Sequence, residues 1–452
     1  MAMDLRGKKV LVCGMALSGV YSAILLKKLG AHVILQDIKD TEEARKEGEK
    51  IGVELLLGKN PDDIILEQDV VVLSPGLPLT LDFIQKAIDA GIYVVGEFEL
   101  ASKLCKCDVA AITGTNGKTT TTTLLGDIMK KFKENTVMVG NIGIPFTKEV
   151  LGLDENSYCV AEVSSFQLET IDTFKPNISA VLNITPDHLD RHKTMENYVA
   201  AKERIFANQT SEDFLILNYD NPYCVDMKNR ANCRVIFFSV TCELQEGLFL
   251  RGADIWVRLD NAEFLLININ ELSIIGYHNV ENAMAASAMA LCAGVPHDII
   301  RTALKEFQAV PHRMEYVRTV NDIIFYNDSK ATNPGAAIKS IESMTRPTIL
   351  IGGGYNKDTS FDEWVKSFGR IVKYLILIGS AKDEILRVCE KYDFTDILVA
   401  DTFDCALELA YKNATSGDCV LLSPACASWD MFTSYEERGN IFKDYVSKLG
   451  GE

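Results

Sequence analysis

Residues 109–132 read VAAITGTNGKTTTTTLLGDIMKKF, and this stretch contains a strand pattern, a glycine-rich loop and a helix pattern in that order. The small and β-branched residues of VAAIT predict a buried strand, whereas TTTLLGDIMKKF has the apolar spacing of a helix. The loop between them opens directly onto a helix N-terminus, where backbone N–H groups converge and bind phosphate oxygens. The stretch therefore predicts a nucleotide-binding site in an α/β domain.

Lys118 and Thr119 are the two side chains that a phosphate loop needs. A lysine at this position bridges the β- and γ-phosphates, and the hydroxyl that follows it binds Mg²⁺. The loop has the form GxxGK[ST], because the longer GxxxxGK[ST] form would require a glycine at Ile112. This difference argues against the common motor and GTPase families. An ordinary glycine turn capped by threonine is the alternative, but the order of strand, loop and helix favours nucleotide binding.

The chain has 452 residues, enough for about three domains. Hydrophobic residues make up 47% and charged residues 24% of it, which is typical of a globular protein and excludes global disorder. The net charge of −17 repels nucleic-acid phosphates and gives no attraction to an anionic bilayer. We therefore expect no nucleic-acid partner, and an anionic ligand needs a local basic site.

The cysteines and the N-terminus bear on localisation. The chain has 12 cysteines and no CxxC pair, which indicates a reducing, cytoplasmic environment. An uncharged run over residues 10–26 follows basic residues and imitates a signal peptide. Gly14 and Gly19 interrupt this run, which fits a strand, a turn and a helix better. We expect neither a signal peptide nor membrane insertion.

Strand and helix patterns alternate in three segments, which we take as three domains. Residues 1–96 contain the strands KKVLVCG, HVILQD and DVVVLSPG and the helices SGVYSAILLKKLG and FIQKAIDAG. Residues 97–309 contain VAAIT, YCVAEVS, ISAVLNI, FLILN and RVIFFS, then the short strands LFLRG, IWVRL and EFLLINI and a long Ala/Met-rich helix beginning near Asn279. Residues 310–452 contain IIFYND, TILIGGG, YLILIG, ILVA and CVLLSP. Such alternation predicts parallel sheets in α/β domains.

The N-terminal turn GMALSG, residues 14–19, resembles a dinucleotide-binding turn with Ala16 in place of the middle glycine. Asp37 ends the next strand, where a ribose-binding acid would lie. A dehydrogenase site, a nucleotide-sugar site and simple βαβ packing are the alternatives, and the missing glycine weighs against the first. Ser74-Pro75-Gly76 follows another strand of the same segment.

Acidic and histidine residues follow two strands of the central segment. Glu162 ends YCVAE, and His188 belongs to NITPDHLDRH, which follows ISAVL. Because the ends of parallel strands meet at one edge of a sheet, both are candidate Mg²⁺ ligands beside the phosphate loop. Zinc bound by His188 and His192 is a weaker hypothesis, since HLDRH lacks the glutamate of HExxH. Lys202, in the helix YVAAKERIFAN, is by residue type alone an ordinary solvated charge.

The last third of the chain places amide and basic residues at helix starts and strand ends. Asn279 and Asn282 lie one helical turn apart and either cap the helix or contact a nucleotide base or phosphate. Arg313 and the loop NDSKATN, residues 327–333, follow predicted strand boundaries, as expected for cations that stabilise a transferring phosphate. Asp328 of that loop can orient a ribose or one of these cations. Two further loops, GGGYNK and SPACASW, complete a predicted ligand-facing rim.

Together these motifs resemble the Mur ligase family, the ATP-dependent amide-forming enzymes of peptidoglycan precursor synthesis. The resemblance covers essentially the whole chain and rests on an ordered set: GTNGKTT, EVSSFQLE, NITPDHLDRH, YVAAKERI, GYHNVENAMAA, HRME, YNDSKATNP, GGGYNK and LLSPACASWDMFTSYEERG. It implies a UDP-binding Rossmann-like domain, a central P-loop ATPase-like domain and a C-terminal dinucleotide-fold-like domain. It also implies a monomeric cytoplasmic enzyme.

The resemblance implies a reaction that joins D-glutamate to UDP-N-acetylmuramoyl-L-alanine with ATP and two Mg²⁺ ions. The substrate carboxylate attacks the γ-phosphate of ATP, and the amine then displaces phosphate from the resulting acyl phosphate. A carboxylate accepts an amine poorly until its oxygen becomes part of a leaving group, and joining two anions requires nearby cations. Other Mur ligases and folylpolyglutamate synthetases share the central loop. A nucleotide-binding regulator without chemistry is the alternative from another class.

The resemblance also implies a role for each motif residue. The implied catalytic residues are Lys118, His188, Lys202, Arg313 and Lys330. The implied ATP-binding residues are Gly114, Thr115, Asn116, Gly117, Lys118, Thr119, Thr120, Asn279, Asn282, Arg313 and Asp328. The implied substrate-binding residues are Leu17, Ser18, Asp37, Asn141, Thr332, Lys357, Ser428 and Tyr435, with Lys357 pairing with the side-chain carboxylate of D-glutamate. The implied metal ligands are Thr119, Glu162, His188 and a carbamylated Lys202, whose ammonium would thereby become an anion.

Overall fold

The computed structural model describes residues 4–274, 276–307 and 311–450. The chain divides into two compact units, the first comprising Met1–Asn270 with Glu281–Leu304 and the second Glu271–Val280 with Lys305–Glu452. Strands in the described ranges form three sheets. The domain boundary predicted between residues 309 and 310 lies outside the described residues, and the boundary predicted after residue 96 stays a prediction.

The first sheet belongs to the first unit and is parallel throughout, with the strand order β3-β2-β1-β4-β5. This is the order of a doubly wound nucleotide-binding sheet. Its elements are β1 (Lys9–Cys13), α1 (Leu17–Lys28), β2 (His32–Asp37), α2 (Glu42–Ile51), β3 (Glu54–Leu57), β4 (Val70–Leu73), α3 (Asp82–Asp89) and β5 (Tyr93–Gly96). The predicted strands and helices of this segment are confirmed. Neither α2 nor the edge strand β3 was predicted; β3 consists of Glu54 and three leucines and lacks the β-branched and aromatic residues that are typical of strands.

The second sheet carries the phosphate loop and also lies in the first unit, apart from the ends of its last two helices. Its elements are α4 (Glu97–Ser102), β6 (Asp108–Thr113), α5 (Lys118–Phe132), β7 (Thr136–Gly140), α6 (Phe146–Glu149), β8 (Tyr158–Glu162), α7 (Ser165–Leu168), β9 (Ile178–Val181), α8 (Leu189–His192), α9 (Met195–Glu203), β10 (Phe214–Asn218), α10 (Pro222–Met227), β11 (Arg234–Ser239), β12 (Gly247–Arg251), β13 (Asp254–Leu259), β14 (Ala262–Asn268), α11 (Tyr277–Cys292) and α12 (His297–Glu306). The strand order is β14-β13-β12-β11-β10-β9-β6-β8-β7, and only the pairs β12–β13 and β13–β14 are antiparallel among the described strands. Because β6 pairs with both β8 and β9, the loops after these three strands meet at one edge.

The third sheet forms the second unit, with the order β15-β16-β20-β17-β18-β19. Its elements are β15 (Glu315–Val320), β16 (Ile323–Asn327), α13 (Pro334–Glu342), β17 (Thr348–Gly353), α14 (Asp362–Lys366), β18 (Val372–Ile378), α15 (Lys382–Lys391), β19 (Ile397–Val399), α16 (Phe403–Asn413), β20 (Cys419–Leu422) and α17 (Tyr435–Lys448). β15 pairs antiparallel with β16, and the other pairs are parallel. The predicted α/β class is confirmed, and each of the three predicted segments contributes one sheet, although the first two sheets belong to one compact unit.

The first unit has one continuous hydrophobic core, because buried residues of both sheets, such as Val10 of β1 and Ala111 of β6, belong to the same cluster. Phe98, which follows the last strand of the first sheet, is fully buried and contacts Phe146 and Phe174, with ring centroids 5.4 and 5.0 Å away. Burying one such ring stabilises the fold by about 1.5–3 kcal/mol.

No helix in the described ranges has both the length and the apolar composition needed to cross a membrane.

Candidate active site

The phosphate loop lies between β6 and α5, and its last glycine has a backbone conformation that would be strained for any other residue. Gly117 has φ = 85° and directly precedes the helix. A Cβ there would lie 2.2 Å from Oδ1 of Asn282, which accepts a hydrogen bond from Thr121 Oγ1 at 3.2 Å. The structure therefore places Asn282 against the loop, and its predicted contact with the nucleotide stays a prediction. Asn279 is buried near the start of α11, and its backbone N–H donates to the Gly276 carbonyl at 2.9 Å.

Hydrogen bonds to the loop after β9 fix the shape of the phosphate loop. Asn116 N–H donates to Asn183 Oδ1 at 2.8 Å, and Asn183 Nδ2 donates back to the Asn116 carbonyl at 3.1 Å. The Thr115 hydroxyl accepts from the Thr185 N–H at 3.0 Å. The loop is thus held by residues that follow the adjacent strand, and it leads into the N-terminus of α5, the end of a helix at which anions bind.

Two lysines converge on one carbonyl oxygen of the loop. Lys118 Nζ donates to the Gly114 carbonyl at 2.9 Å and to the Thr115 carbonyl at 2.9 Å. Lys202 Nζ, from α9, donates to the same Gly114 carbonyl at 2.8 Å. Two positive charges at this spacing repel each other, so one of them is disfavoured unless an anion binds between them.

Lys202 is only 2% exposed, so the interpretation of this residue as a solvated charge is wrong. Its Nζ lies 4.8 Å from the centroid of the Tyr198 ring. Burial lowers the pKa of Lys202 well below its ordinary value, and the charge of Lys118 lowers it further. The environment therefore favours the neutral amine, which is the form that attacks carbon dioxide to give a carbamate.

Glu162 ends β8 beside the loop and is 1% exposed. Its Oε1 accepts from Asn141 Nδ2 at 2.7 Å, while Oε2 is buried and has no hydrogen-bond partner among the described residues. A buried carboxylate oxygen without a partner is costly, and a cation would satisfy it. Asn141 thus contacts the predicted metal ligand.

The residues around Glu162 fit a magnesium ion bound mainly by oxygen atoms. In the part of the chain that the structure describes, no three His, Cys, Asp or Glu side chains are grouped to hold a metal. Mg²⁺ does not need such a group, because it takes one or two protein ligands and completes its shell with phosphate oxygens and water. Thr119, which is 7% exposed at the start of α5, offers a hydroxyl of the required kind.

His188 and His192 occupy different environments, which disfavours the zinc hypothesis. His192 is buried; its Nε2 lies 3.0 Å from Ser165 Oγ and its Nδ1 lies 3.4 Å from Glu169 Oε1. His188 precedes α8 with φ = 52°, and its partly exposed ring lies edge-on to Phe166 at 4.9 Å. His188 is therefore the histidine of this loop that an incoming ligand can reach.

Arg191 was not predicted from the sequence, although it lies in the motif DHLDRH. Its guanidinium donates to the carbonyls of Gly76 and Leu77 at 3.1 Å each, and to Glu169 Oε2 at 2.6 Å. It lies 4.5 Å from the centroid of the Phe166 ring. Arg191 thus joins the loop after β4 to the loop that carries His188.

The predicted UDP-site residues lie together at the edge of the first sheet. Asp37 Oδ2 accepts from the Met15 N–H at 2.8 Å. Ala16 has φ = −68°, so this turn does not require the glycine that it lacks. Leu17 and Ser18 begin α1, and Leu17 is 55% exposed. Their role in binding stays a prediction.

In the second unit, Asp328 is buried and already hydrogen-bonded. Its carboxylate accepts from the hydroxyls of Ser340 and Ser423 and, at 3.2 Å, from the Met314 N–H. Burial raises the pKa of Asp328, and the positive charge of Arg313 partly offsets this. Arg313 Nε is buried and has no hydrogen-bond partner among the described residues. Asp328 therefore ties strand ends together, whereas Arg313 has a donor left for a ligand.

Predicted amino-acid-binding residues also meet in the second unit. Lys330 Nζ lies 5.5 Å from the centroid of the Tyr435 ring, and the Thr332 N–H donates to the Lys330 carbonyl at 2.9 Å. Ser428 is 2% exposed, and Lys357 is half-buried. Their loops are paired by hydrogen bonds of 2.9 and 3.0 Å between the backbones of residues 355 and 427.

A second arginine that sequence reasoning missed, Arg438, is fully buried behind these loops. Its Nε donates to Ser329 Oγ at 2.9 Å, and its terminal nitrogens donate to the Ser329 carbonyl at 2.8 Å and the Cys426 carbonyl at 3.3 Å. Burial lowers the pKa of Arg438 to about 10. One guanidinium therefore holds the loop of Lys330 against the loop of Ser428.

Comparison with known proteins gives matches along the whole chain. Residues 8–96 match the Mur ligase MurD-like N-terminal domain, residues 112–290 the Mur ligase middle domain and residues 312–426 the glutamate ligase domain of Mur ligases. The UDP-N-acetylmuramoylalanine--D-glutamate ligase of Lachnoclostridium phytofermentans is 46% identical, with 100% of each chain covered. The ligase of the same name from Lachnospira eligens is 47% identical over 99% of this chain and 100% of its own.

Solved structures with low sequence identity share the fold. UDP-N-acetylmuramate-alanine ligase from Thermotoga maritima aligns with a TM-score of 0.62 at 16% identity, covering 97% of this chain and 99% of its own. A pseudomurein peptide ligase type C from Methanothermus fervidus gives a TM-score of 0.60 at 19% identity, covering 97% and 100%. With three matching domain models and full-length relatives near half identity, the chain belongs to the Mur ligase family.

Proposed function

We propose that the chain is an ATP-dependent ligase that joins D-glutamate to UDP-N-acetylmuramoyl-L-alanine through an acyl phosphate. The names of its full-length relatives support this activity. The structural observation that carries the proposal is the pair Lys118 and Lys202, both bonded to the Gly114 carbonyl in the loop that precedes α5. Such a loop binds the triphosphate of ATP and places its γ-phosphate near cations.

Lys118 and the N–H groups at the start of α5 bind the phosphates and offset their charge. Lys118 is already held over the loop by two carbonyl oxygens, so little side-chain freedom is lost when ATP binds. Asn282, fixed against Thr121 at the same helix start, is the candidate contact to the nucleotide.

Glu162, Thr119, His188 and a carbamylated Lys202 would hold two Mg²⁺ ions. The ions would supply positive charge that lets the substrate carboxylate approach the γ-phosphate. Carbamylation converts the buried amine of Lys202 into an anion, and this anion removes the repulsion between Lys202 and Lys118. A carbamate on Lys202 would thus account for the burial of this lysine beside Lys118.

Residues of the second unit would bind and orient the amino acid. Lys330 and Arg313 are the cations assigned to the acyl phosphate, on which charge develops as the amine attacks. Lys357 would pair with the side-chain carboxylate of D-glutamate, with Thr332, Ser428 and Tyr435 around it. Asn141, Leu17, Ser18 and Asp37 would contact the UDP substrate.

Phosphate release tests the proposed function directly. Purified protein receives ATP, Mg²⁺ and UDP-N-acetylmuramoyl-L-alanine with one amino acid at a time. We expect release that depends on D-glutamate. Equal turnover with L-lysine or diaminopimelate would assign the chain to another branch of the family, and ATP binding without turnover would support a regulator.

Size-exclusion chromatography tests the proposed monomer, and cell fractionation tests the proposed cytoplasmic localisation.

A further inference from the structure

Two thiols lie side by side in the short connection between α4 and β6. Cys105 Sγ is 3.5 Å from Cys107 Sγ and 3.6 Å from the Cys107 carbonyl oxygen. Both side chains are half-buried, and Lys106 between them is exposed. The pair therefore has both the proximity needed for a bond and access for a small reagent.

The contact makes the two thiols unequal. The Cys107 S–H donates toward Cys105 and lowers the pKa of Cys105 to about 7, whereas the same contact and burial raise the pKa of Cys107. By contrast, burial alone raises the pKa of Cys13 to about 12, which makes that thiol inert. A partly accessible thiolate next to a second thiol is the arrangement found in redox-active dithiols.

We propose that Cys105 and Cys107 form a reversible dithiol–disulfide site that reacts with small disulfides of the glutathione class. The Cys105 thiolate attacks one sulfur of the small disulfide and releases the other as a thiolate. Cys107 then loses its proton and attacks Cys105 Sγ, which displaces the second small thiolate. Two protein thiols are oxidised to one disulfide, and one small disulfide is reduced to two thiols that take up the two protons.

The position of the pair explains why the site would be reversible. A disulfide that spans only Lys106 closes a small strained ring, and strained disulfides are reduced more easily than structural ones. Cys105 is anchored at the end of α4 by its N–H bond to the Ala101 carbonyl at 3.1 Å, and Cys107 directly precedes β6. Oxidation therefore changes the connection that leads into the strand of the phosphate loop.

The test incubates the folded full-length protein in buffers of increasing glutathione disulfide content. After acid quenching and alkylation, cleavage after glutamate gives residues 100–134, in which Cys105 and Cys107 are the only cysteines. We expect this peptide to escape alkylation, with a mass two hydrogens below that of the free dithiol, and to take up two alkyl groups when dithiothreitol is added before the quench. A peptide that carries two alkyl groups at every glutathione disulfide content, or a stable glutathionyl group on one cysteine of the wild-type protein, would overturn the proposal.

Serine variants separate the two thiols. Cys107→Ser should accumulate a glutathionyl group on Cys105, because the displacing thiol is missing, and the Ser hydroxyl can still donate toward Cys105. In Cys105→Ser, Cys107 should react with glutathione disulfide about tenfold more slowly than Cys105 does in Cys107→Ser. Cys405→Ser, which removes an exposed cysteine elsewhere, should leave the two-hydrogen loss unchanged. Equal rates for the two single variants would contradict the assignment of Cys105 as the attacking thiol.

Discussion

The two units each contain a buried basic side chain beside predicted site residues, and the two side chains differ in what they can do. Lys202 of the first unit and Arg438 of the second are 2% and 0% exposed, and neither has a carboxylate partner among the described residues. A buried lysine loses its proton readily, whereas a guanidinium keeps its charge. Lys202 is therefore suited to chemical modification, whereas Arg438 is suited to holding loops in place.

The substitution Lys202→Ala should have the largest effect on activity. If a carbamate on Lys202 supports the metal, the turnover number should fall by about 10³-fold, and added acetate should restore part of it. The measurement is D-glutamate-dependent phosphate release with saturating substrates. Lys228→Ala, which removes an exposed lysine, is the control. Activity close to wild type would remove Lys202 from the mechanism.

Arg438→Met should separate a positioning role from a catalytic one. Removing Arg438 leaves Ser329 Oγ and the carbonyls of Ser329 and Cys426 without this buried donor, which should cost about 3 kcal/mol of unfolding free energy. The loosened loops should raise the KM for D-glutamate more than they lower kcat, and Arg438→Lys should recover part of both. Denaturant unfolding and steady-state kinetics measure these effects, with the exposed Arg387→Met as control. A fall in kcat alone would contradict a positioning role.

Glu97 extends the comparison to a buried acid. Burial raises its pKa from 4.5 to about 7, and its Oε2 has no hydrogen-bond partner in the described part of the chain. The folded state therefore holds the proton more tightly than the unfolded state, so this stability is present below pH 4.5 and is lost as the pH rises through about 7. Relative to Glu97→Gln, the wild type should lose about 3 kcal/mol of unfolding free energy across this range.

Thermal and urea unfolding at several pH values check the prediction for Glu97. The exposed Glu155→Gln is the matched control and should follow the wild type. If the unfolding free energies of the wild type and Glu97→Gln depend on pH in the same way, Glu97 is charged in the folded protein at neutral pH. Burial would then not favour the uncharged form of this carboxyl group as it does for the amine of Lys202.

The smallest expected effect concerns a cation that is only half-buried. Lys357→Ala should raise the KM for D-glutamate about tenfold and leave kcat nearly unchanged, since a partly solvated ion pair contributes little more than 1 kcal/mol. Initial-rate kinetics with varied D-glutamate measure it, and the exposed Lys412→Ala should behave as wild type. An unchanged KM in Lys357→Ala would remove Lys357 from the pocket.

The sequence predicted best what depends on neighbouring residues in the chain. The phosphate loop is a continuous strand, loop and helix, so β6, α5 and their join at Lys118 are as expected. Glu162 and the loop of His188 were placed correctly because β8 and β9 flank β6 in one parallel sheet. The α/β class follows from the same alternation of patterns.

What the sequence did not predict depends on tertiary packing. The helix pattern around Lys202 gives no sign that the lysine is buried, because the burial comes from its contact with Gly114, 88 residues earlier in the chain. Arg438 lies in a motif that was noted, yet its role arises from a hydrogen bond to Ser329, 109 residues away. Such contacts can be inferred only once the sheets are assembled.

A carbon-13 NMR spectrum in labelled bicarbonate tests the central claim most directly. At neutral pH the wild-type protein should show a carbamate carbonyl signal. The signal should be missing in Lys202→Met and unchanged in Lys228→Ala. Phosphate release from the same samples should depend on D-glutamate only where the signal is present. A fully active wild-type enzyme with no signal that depends on Lys202 would contradict the account.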